Sequence, residues 1–170
     1  MDSTLGQPQD ADVANAFKAA MRRFAASVSI VTISKGDTKA GITATAVSSL
    51  SMDPPALLVC VNRSASIHND MCLGKAFCVN ILNDEHADLS GAFGGRIPAD
   101  ERFSIGEWHW HDEMSPYLGD AQANVFCIVD EKVDYATHTI FIGKVESVRL
   151  NGEFRPLVFG DGQYFSIGSK

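Results

Sequence analysis

The residues whose types and spacing are best suited to chemistry lie between Gly41 and Ser66. They read Gly-Ile-Thr-Ala-Thr-Ala-Val-Ser-Ser-Leu-Ser-Met-Asp-Pro-Pro, then Ala-Leu-Leu-Val-Cys-Val, then Asn-Arg-Ser-Ala-Ser. The first run is almost all small, β-branched or hydroxylated, and small side chains let a flat ligand approach the backbone closely. Asn62, Arg63, Ser64 and Ser66 offer amide, guanidinium and hydroxyl donors suited to a phosphate. A ring platform followed by a phosphate hook fits a phosphorylated aromatic cofactor. An edge strand packed under a helix, followed by a solvated turn, accounts for the same residues and stays open at this level.

Ala92-Phe-Gly-Gly-Arg96 is a second candidate. Two glycines free the backbone to wrap a ligand, Arg96 can pair with phosphate, and Phe93 can stack on a ring. A helix C-cap followed by a surface arginine reads equally well. The spacing is not that of a dinucleotide Gly-x-Gly-x-x-Gly fingerprint, which argues against a Rossmann domain. His138 opens a strand after a tight turn, where it is either functional or a half-buried structural histidine. In Trp108-His-Trp-His-Asp112, alternation puts both imidazoles on one face of a strand. No third His or Cys follows at metal-ligand spacing, so no metal site is expected. His68 and His86 have no evident partner, and no Gly-x-Ser-x-Gly elbow marks a serine nucleophile.

The totals bound these readings. The chain has 170 residues, 45% hydrophobic and 21% charged, which suits one globular domain with a proper core. A net charge of −7 argues against general nucleic-acid or anionic-membrane binding, although a local pair such as Arg63 and Arg96 can still make a positive pocket. Cys60, Cys72, Cys78 and Cys127 form no Cys-x-x-Cys and are expected to be reduced and structural. No apolar run reaches membrane-span length, and the N-terminus lacks signal-peptide character. A cytoplasmic protein is expected, with residues 1–12 as a flexible tail and 13–170 as a single domain.

The elements that must position the candidates follow from periodicity. Asp12 is expected to cap a helix with Val13, Phe17, Met21 and Phe24 on one face, and Arg22 and Arg23 in its last turn. Strands are expected over residues 27–33, 40–49, 56–61, 77–82, 123–135 and 138–150, with a terminal pair at 157–159 and 163–167. The continuous apolar run 56–61 reads as buried on both faces. Within the run 40–49, Thr43, Thr45, Val47 and Ser49 would share one face and Ala44, Ala46 and Ser48 the other. Short helices are expected over 66–74 and 84–92, the second capped by Asp84 and stopped by Gly94-Gly95. Residues 94–120 read as irregular. Roughly seven hairpin-joined strands with one leading helix suggest a closed antiparallel barrel decorated by helices.

Several segments, in this order and spacing, resemble the short-chain flavin reductases, the small components of two-component flavin-dependent monooxygenases. They are Phe17-Lys-Ala-Ala-Met-Arg-Arg-Phe24, Gly41-Ile-Thr-Ala-Thr-Ala-Val-Ser-Ser49, Asp53-Pro-Pro55, Leu58-Val-Cys-Val-Asn-Arg-Ser-Ala-Ser66, Cys78-Val-Asn80, Phe93-Gly-Gly-Arg96, Glu101-Arg-Phe103 and Thr137-His138. The chain especially resembles the reductases that serve 4-hydroxyphenylacetate 3-monooxygenase, and a relative in pyrimidine breakdown. The resemblance implies a mainly β, antiparallel split barrel of the FMN-binding type, a homodimer, with FMN or FAD at the subunit interface. It also implies NADH or NADPH as hydride donor and a monooxygenase that receives reduced flavin. By motif, Thr43, Ala44, Thr45, Ser49 and Ser51 would lie along the isoalloxazine and ribityl chain. Asn62, Ser64 and Ser66 would hold phosphate with Arg63 or Arg96, Asn80 would contact the flavin, and Phe93 and Gly95 would close over it. His138 matches a position associated with nicotinamide binding, preceded by Ala136 where the family usually has glycine. Glu101-Arg102-Phe103 lies near the pocket in the family. Two alternatives share these residues: a reductase with tightly bound flavin acting on another acceptor, such as a cob(II)alamin-type corrin, and a flavin-binding module without turnover.

Overall fold

Strand residues with β-branched and aromatic side chains pair here in long antiparallel ladders. The computed structural model describes residues 10–111 and 115–167. The leading helix α1 is Asp10–Met21, so Asp12 lies inside its first turn and does not cap it, and residues 1–9 of the expected tail lie outside the described residues. Val13, Phe17 and Met21 share a face as their period requires, but that face is 53, 63 and 42% exposed and covers no core of this chain. Arg22 falls beyond the helix end, where its Nε meets Asp161 Oδ1 at 3.0 Å.

The strands are β1 (Ala26–Ser27), β2 (Ser29–Lys35), β3 (Thr38–Ala44), β4 (Val47–Met52), β5 (Pro55–Asn62) and β6 (Ala76–Ile81). After a short helix α2 (Ala87–Gly91) come β7 (Trp108–His111), β8 (Ser115–Leu118), β9 (Ala123–Tyr135), β10 (His138–Leu150), β11 (Leu157–Gly160) and β12 (Gln163–Ser166). Seven of them form one antiparallel sheet in the order β3-β2-β6-β9-β10-β5-β4, flanked by a β1-β11-β12 sheet and a β7-β8 hairpin. The expected closed barrel is therefore split: β3 and β4 are opposite edges with no ladder between them. The cause lies in the expected single strand over 40–49. It breaks at Thr45-Ala46, after which the chain leaves β2 and pairs with β5 instead.

Other expectations shift for similarly local reasons. The strands buried on both faces are β2, where Ser29–Ile33 are all buried, and β6, where residues 77–80 are, whereas β5 alternates with Leu57, Val59 and Val61 inside. Residues 66–74 keep only a 3₁₀ turn at His68–Asp70. The cap of the 84–92 segment is Asn83, whose side chain accepts from Glu85 N at 3.0 Å, with His86 completing a capping box. His86 thus has a partner after all, and a second in Asp120 at 3.2 Å. The helical run does not stop at Gly94 but continues as a wide turn to Arg96, made possible by φ +108° at Gly95. The stretch expected to be irregular contains the β7-β8 hairpin.

Alternate residues of the run 28–33, which enters β2, feed two cores. Val31 and Ile33 pack with Val59, Val61, Phe77 and Phe141, while Val28 and Ile30 pack with Leu82, Leu89, Phe93 and Leu118. Cys78 and Cys127 are buried thiols. Burial, aided by Glu146, pushes Cys127 up to about 12, and burial likewise raises Cys78 well above its ordinary value. Both therefore act as small hydrophobes. Among the described residues, no helix is long and apolar enough to cross a membrane.

Candidate active site

One cavity of about 510 Å³ gathers the C-terminal end of β3, the loop after β5 and the start of β10. Its walls include Thr43, Ala44, Thr45, Asn62, Ser64, Ser66, Phe93 and His138, together with Ile42, Ala46, Cys60, Ala65, Gly94 and Arg102. That volume is in the range of small-molecule and cofactor sites.

Strand register explains the assembly. β10 pairs antiparallel with β5 so that His138 stands directly opposite Asn62, and Arg63 N donates to Thr137 O at 2.9 Å. The tight turn before His138 places Ala136 at φ +48°, a conformation that favours glycine. His138 Nδ1 lies 2.9 Å from Thr137 Oγ1, and its ring is exposed to the cavity mouth. Beneath this corner, the Thr139 hydroxyl donates to Asp134 Oδ1 at 2.6 Å. That bond, reinforced by Arg63, holds the Asp134 carboxyl below its ordinary range. Thr139 has one proton and gives it to the carboxylate, so His68 Nε2, 2.8 Å from the same oxygen, is the donor to it. His68 thereby ties the loop to the β10 corner.

The loop after β5 is turned by Asn62, whose Oδ1 accepts from Ser64 N at 2.9 Å and Ser64 Oγ at 2.8 Å. This local turn consumes the acceptor end of Asn62 and leaves its amide N–H₂ for a ligand. Across the cavity, Thr43 donates to Ser90 O at 2.6 Å and fixes β3 against α2. Behind that wall, a Cβ on Gly41 would come within 2.9 Å of Phe93 Cε1, so only glycine admits the ring there. Phe93 is 1% exposed and packs in a trio with Phe103 (centroids 5.0 Å) and Trp108 (5.1 Å). It supports the cavity floor and has no free face for stacking.

Six expected residues are not brought to this cavity. Ser49 and Ser51 follow the break at Thr45-Ala46 onto β4 and line a separate apolar groove. Arg63 turns outward to Asp134 at 3.4 Å, and Arg96 folds back on Asp88 at 3.3 Å. Gly95 supplies the turn, while its neighbour Gly94 lines the wall. Asn80 is fully buried. Its Nδ2 donates to Ile30 O (2.8 Å) and Thr32 Oγ1 (3.1 Å), and its Oδ1 accepts from Leu118 N (2.8 Å) and Asn124 Nδ2 (2.9 Å).

The cation of the cavity is instead Arg102. Its Nη1 donates to Gly41 O at 3.0 Å, and its Nε is buried with no hydrogen-bond partner among the described residues. Its guanidinium lines the cavity, where a cation suits an anionic or carbonyl-rich ligand. The motif Glu101-Arg-Phe103 was the signal for it, without a role attached. His109 and His111, the pair on β7, go to Glu107 (3.2 Å) and to a stack on Phe126 (3.9 Å). Asp112 lies outside the described residues. Small-residue wall, amide and hydroxyl donors, and a guanidinium together fit a flavin mononucleotide unit.

Comparison with known proteins points the same way. A family model described as "Flavin reductase like domain" matches residues 21–168. The reductase component of an FADH(2)-dependent resorcinol hydroxylase from Rhizobium sp. (strain MTP-10005) is 41% identical over 150 residues, 87% of this chain and 84% of that protein. An FMN reductase (NADH), RutF, from Variovorax paradoxus (strain S110) is 38% identical over 153 residues, covering 90% and 85%. The crystal structure of flavin reductase HpaC complexed with NADP+ superposes with a TM-score of 0.81 at 27% identity, covering 91% and 97%. Split sheet, cavity and matched length agree, and this chain belongs to the flavin reductase like domain family.

Proposed function

We propose that this protein is an NAD(P)H-dependent flavin reductase that supplies reduced flavin to a partner monooxygenase. The observation that carries the reading is the cavity in which Thr43–Ala46, Asn62, Ser64, Ser66, His138 and the guanidinium-bearing Arg102 converge. The names of relatives, an FMN reductase (NADH) and a hydroxylase reductase component, support the same chemistry. FMN or FAD is the acceptor. A flavin held by these residues would supply the redox chemistry, as acceptor of the hydride that leaves nicotinamide C4 with both electrons of its C–H bond.

This chain's own residues bind, orient and exclude water. Ala44 and Ala46 keep the β3 wall low enough for a ring plane to lie against the backbone. Asn62 Nδ2, the Ser66 hydroxyl and the Arg102 guanidinium receive the ribityl and phosphate oxygens, and Ser64 adds its hydroxyl when that proton turns from Asn62 Oδ1 to the ligand. His138, held opposite Asn62 at the mouth, orients the nicotinamide and need not transfer a proton. A homodimer in the cytoplasm is the proposed form, supported by the uncovered apolar face of α1.

Anaerobic stopped-flow NADH oxidation, with FMN or FAD from substoichiometric to excess, tests the function. Consumption is expected to follow total added flavin over many equivalents. Reduction of protein-bound flavin once only would overturn the diffusible-flavin reading in favour of a tightly bound flavin serving another acceptor, corrins being tried first. Tight binding without NADH oxidation would leave a binding module.

A further inference from the structure

Three side chains that do not line the flavin cavity join its donor loop to the hairpin that carries His138. They are Asp134, Thr139 and His68. At the near end of the loop, Arg63 Nη2 lies 3.4 Å from Asp134 Oδ2. The other oxygen of that carboxylate, Oδ1, accepts the Thr139 hydroxyl at 2.6 Å. Thr139 Oγ1 in turn accepts from His68 Nε2 at 2.8 Å, and His68 follows Ser66 by two residues. One carboxylate therefore anchors both ends of the segment 63–68. Strand register makes this possible. Thr139 stands between Val61 on β5 and Asp134 on β9, so its side chain falls on the face opposite to that of His138. Thr139 is buried, and the His68 ring rests edge-on against Phe141 with centroids 5.6 Å apart.

The loop backbone does not need this chain of bonds in order to fold. Ile67 is fixed in the hydrophobic core, and Arg63 N is already bonded to Thr137 O at 2.9 Å. What the chain adds is direction. Ser64 and Ser66 are exposed between the two anchors, and a hydrogen bond weakens steeply once its donor is misaligned. The small-residue wall belongs to β3 and the turn after it, outside this chain of bonds. Slackening the loop would therefore weaken the hold on a phosphate and spare the hold on a ring. We propose that Asp134, Thr139 and His68 set the preference of the site for a phosphorylated flavin over riboflavin, by keeping the loop donors aimed at the phosphate. They are positioning residues that act through Ser64 and Ser66. The proposal rests on the flavin-reductase reading.

Fluorescence titration of the whole chain with FMN, and with riboflavin, which lacks only the phosphate, tests this. The variants are Thr139→Val, His68→Ala and the two combined, with Thr139→Ser as the conservative change. Wild type is expected to bind FMN more tightly than riboflavin. In Thr139→Val the FMN Kd is expected to rise about tenfold, the scale of one charge-assisted hydrogen bond, while the riboflavin Kd moves less than about twofold. Thr139→Ser keeps the hydroxyl and restores the FMN Kd. His68→Ala loses as much as Thr139→Val, and the double variant loses no more than either, because the chain is already broken. Equal weakening of both ligands would mean that Thr139 and His68 only pack, and would overturn the proposal. An unchanged FMN Kd, a Thr139→Ser variant that restores nothing, or losses that add in the double variant overturn it equally. Wild type that binds riboflavin as tightly as FMN overturns it with the flavin reading intact. Wild type that binds neither ligand overturns the flavin reading and the proposal together.

Discussion

At the scale of single residues, two side chains carry separable duties. His138 faces the cavity mouth from the first position of β10, directly opposite Asn62 at the start of the phosphate loop. His138→Ala is expected to raise the KM for NADH about tenfold while the flavin Kd moves less than about twofold. Steady-state kinetics beside a fluorescence titration measure both, and a larger loss of flavin affinity than of NADH efficiency would reject the assignment. Arg102 is the opposite case, because its guanidinium lines the cavity and its Nε has no hydrogen-bond partner among the described residues. Arg102→Lys retains charge but loses that directed N–H, so flavin Kd is expected to rise about tenfold. An unchanged Kd in the same titration would show that the guanidinium serves only Gly41. The sequence marked His138 and the Asn62–Ser66 donors by type alone. It marked Arg63 and Arg96 equally well, and nothing in their spacing foretold that Asp134 and Asp88 would claim them.

Elements depend on side chains that never reach the cavity. Asn80 fills every hydrogen-bonding position it has and links β2, β6, β8 and β9 through buried partners. Asn80→Ala leaves Leu118 N–H and the Asn124 amide unanswered, so a loss of about 3 kcal/mol is expected by urea unfolding. A loss below about 1 kcal/mol would return Asn80 to the list of ligand contacts. The β5–β10 corner depends on Thr139, which holds the Asp134 carboxyl below its ordinary value of 3.8. A folded pKa lowered in this way contributes stability that is complete above the unfolded pKa and lost as pH falls through the folded one. Wild type is therefore expected to exceed Thr139→Val in Tm by a constant margin near pH 6, and the margin should shrink below about pH 4. A margin independent of pH would mean that packing, not the Asp134 bond, is what Thr139 provides.

For the whole molecule, the outstanding feature is apolar surface without a cover. Val13, Phe17 and Met21 on α1 continue into Phe24, which is 69% exposed, and Tyr135, Leu150 and Phe154 are exposed by 72% or more. Monomers seldom leave that much apolar surface in water. Sedimentation equilibrium is expected to give a dimer for wild type and a shift toward monomer for Phe17→Asp. A monomeric wild type at micromolar concentration would remove the homodimer from the proposed function.

Much of this was legible along the chain because β-propensity and turn chemistry are local. The long strands at 123–135 and 138–150, the turns at Gly36 and Ala136, and the donor-rich loop after β5 all follow from neighbours a few residues apart. What only the tertiary structure decided depends on groups distant in sequence. The break at Thr45-Ala46 splits the sheet, because one half of a small-residue run pairs with β2 and the other with β5, and no local preference chooses between two ladders. The same break sends Ser49 and Ser51 away from the cavity. Burial places Asn80 behind the cavity wall, and Arg63 and Arg96 reach Asp134 and Asp88 while Arg102 lines the cavity. Residue type states which chemistry is possible; the long-range pairing of strands and charges selects the residues left free to perform it.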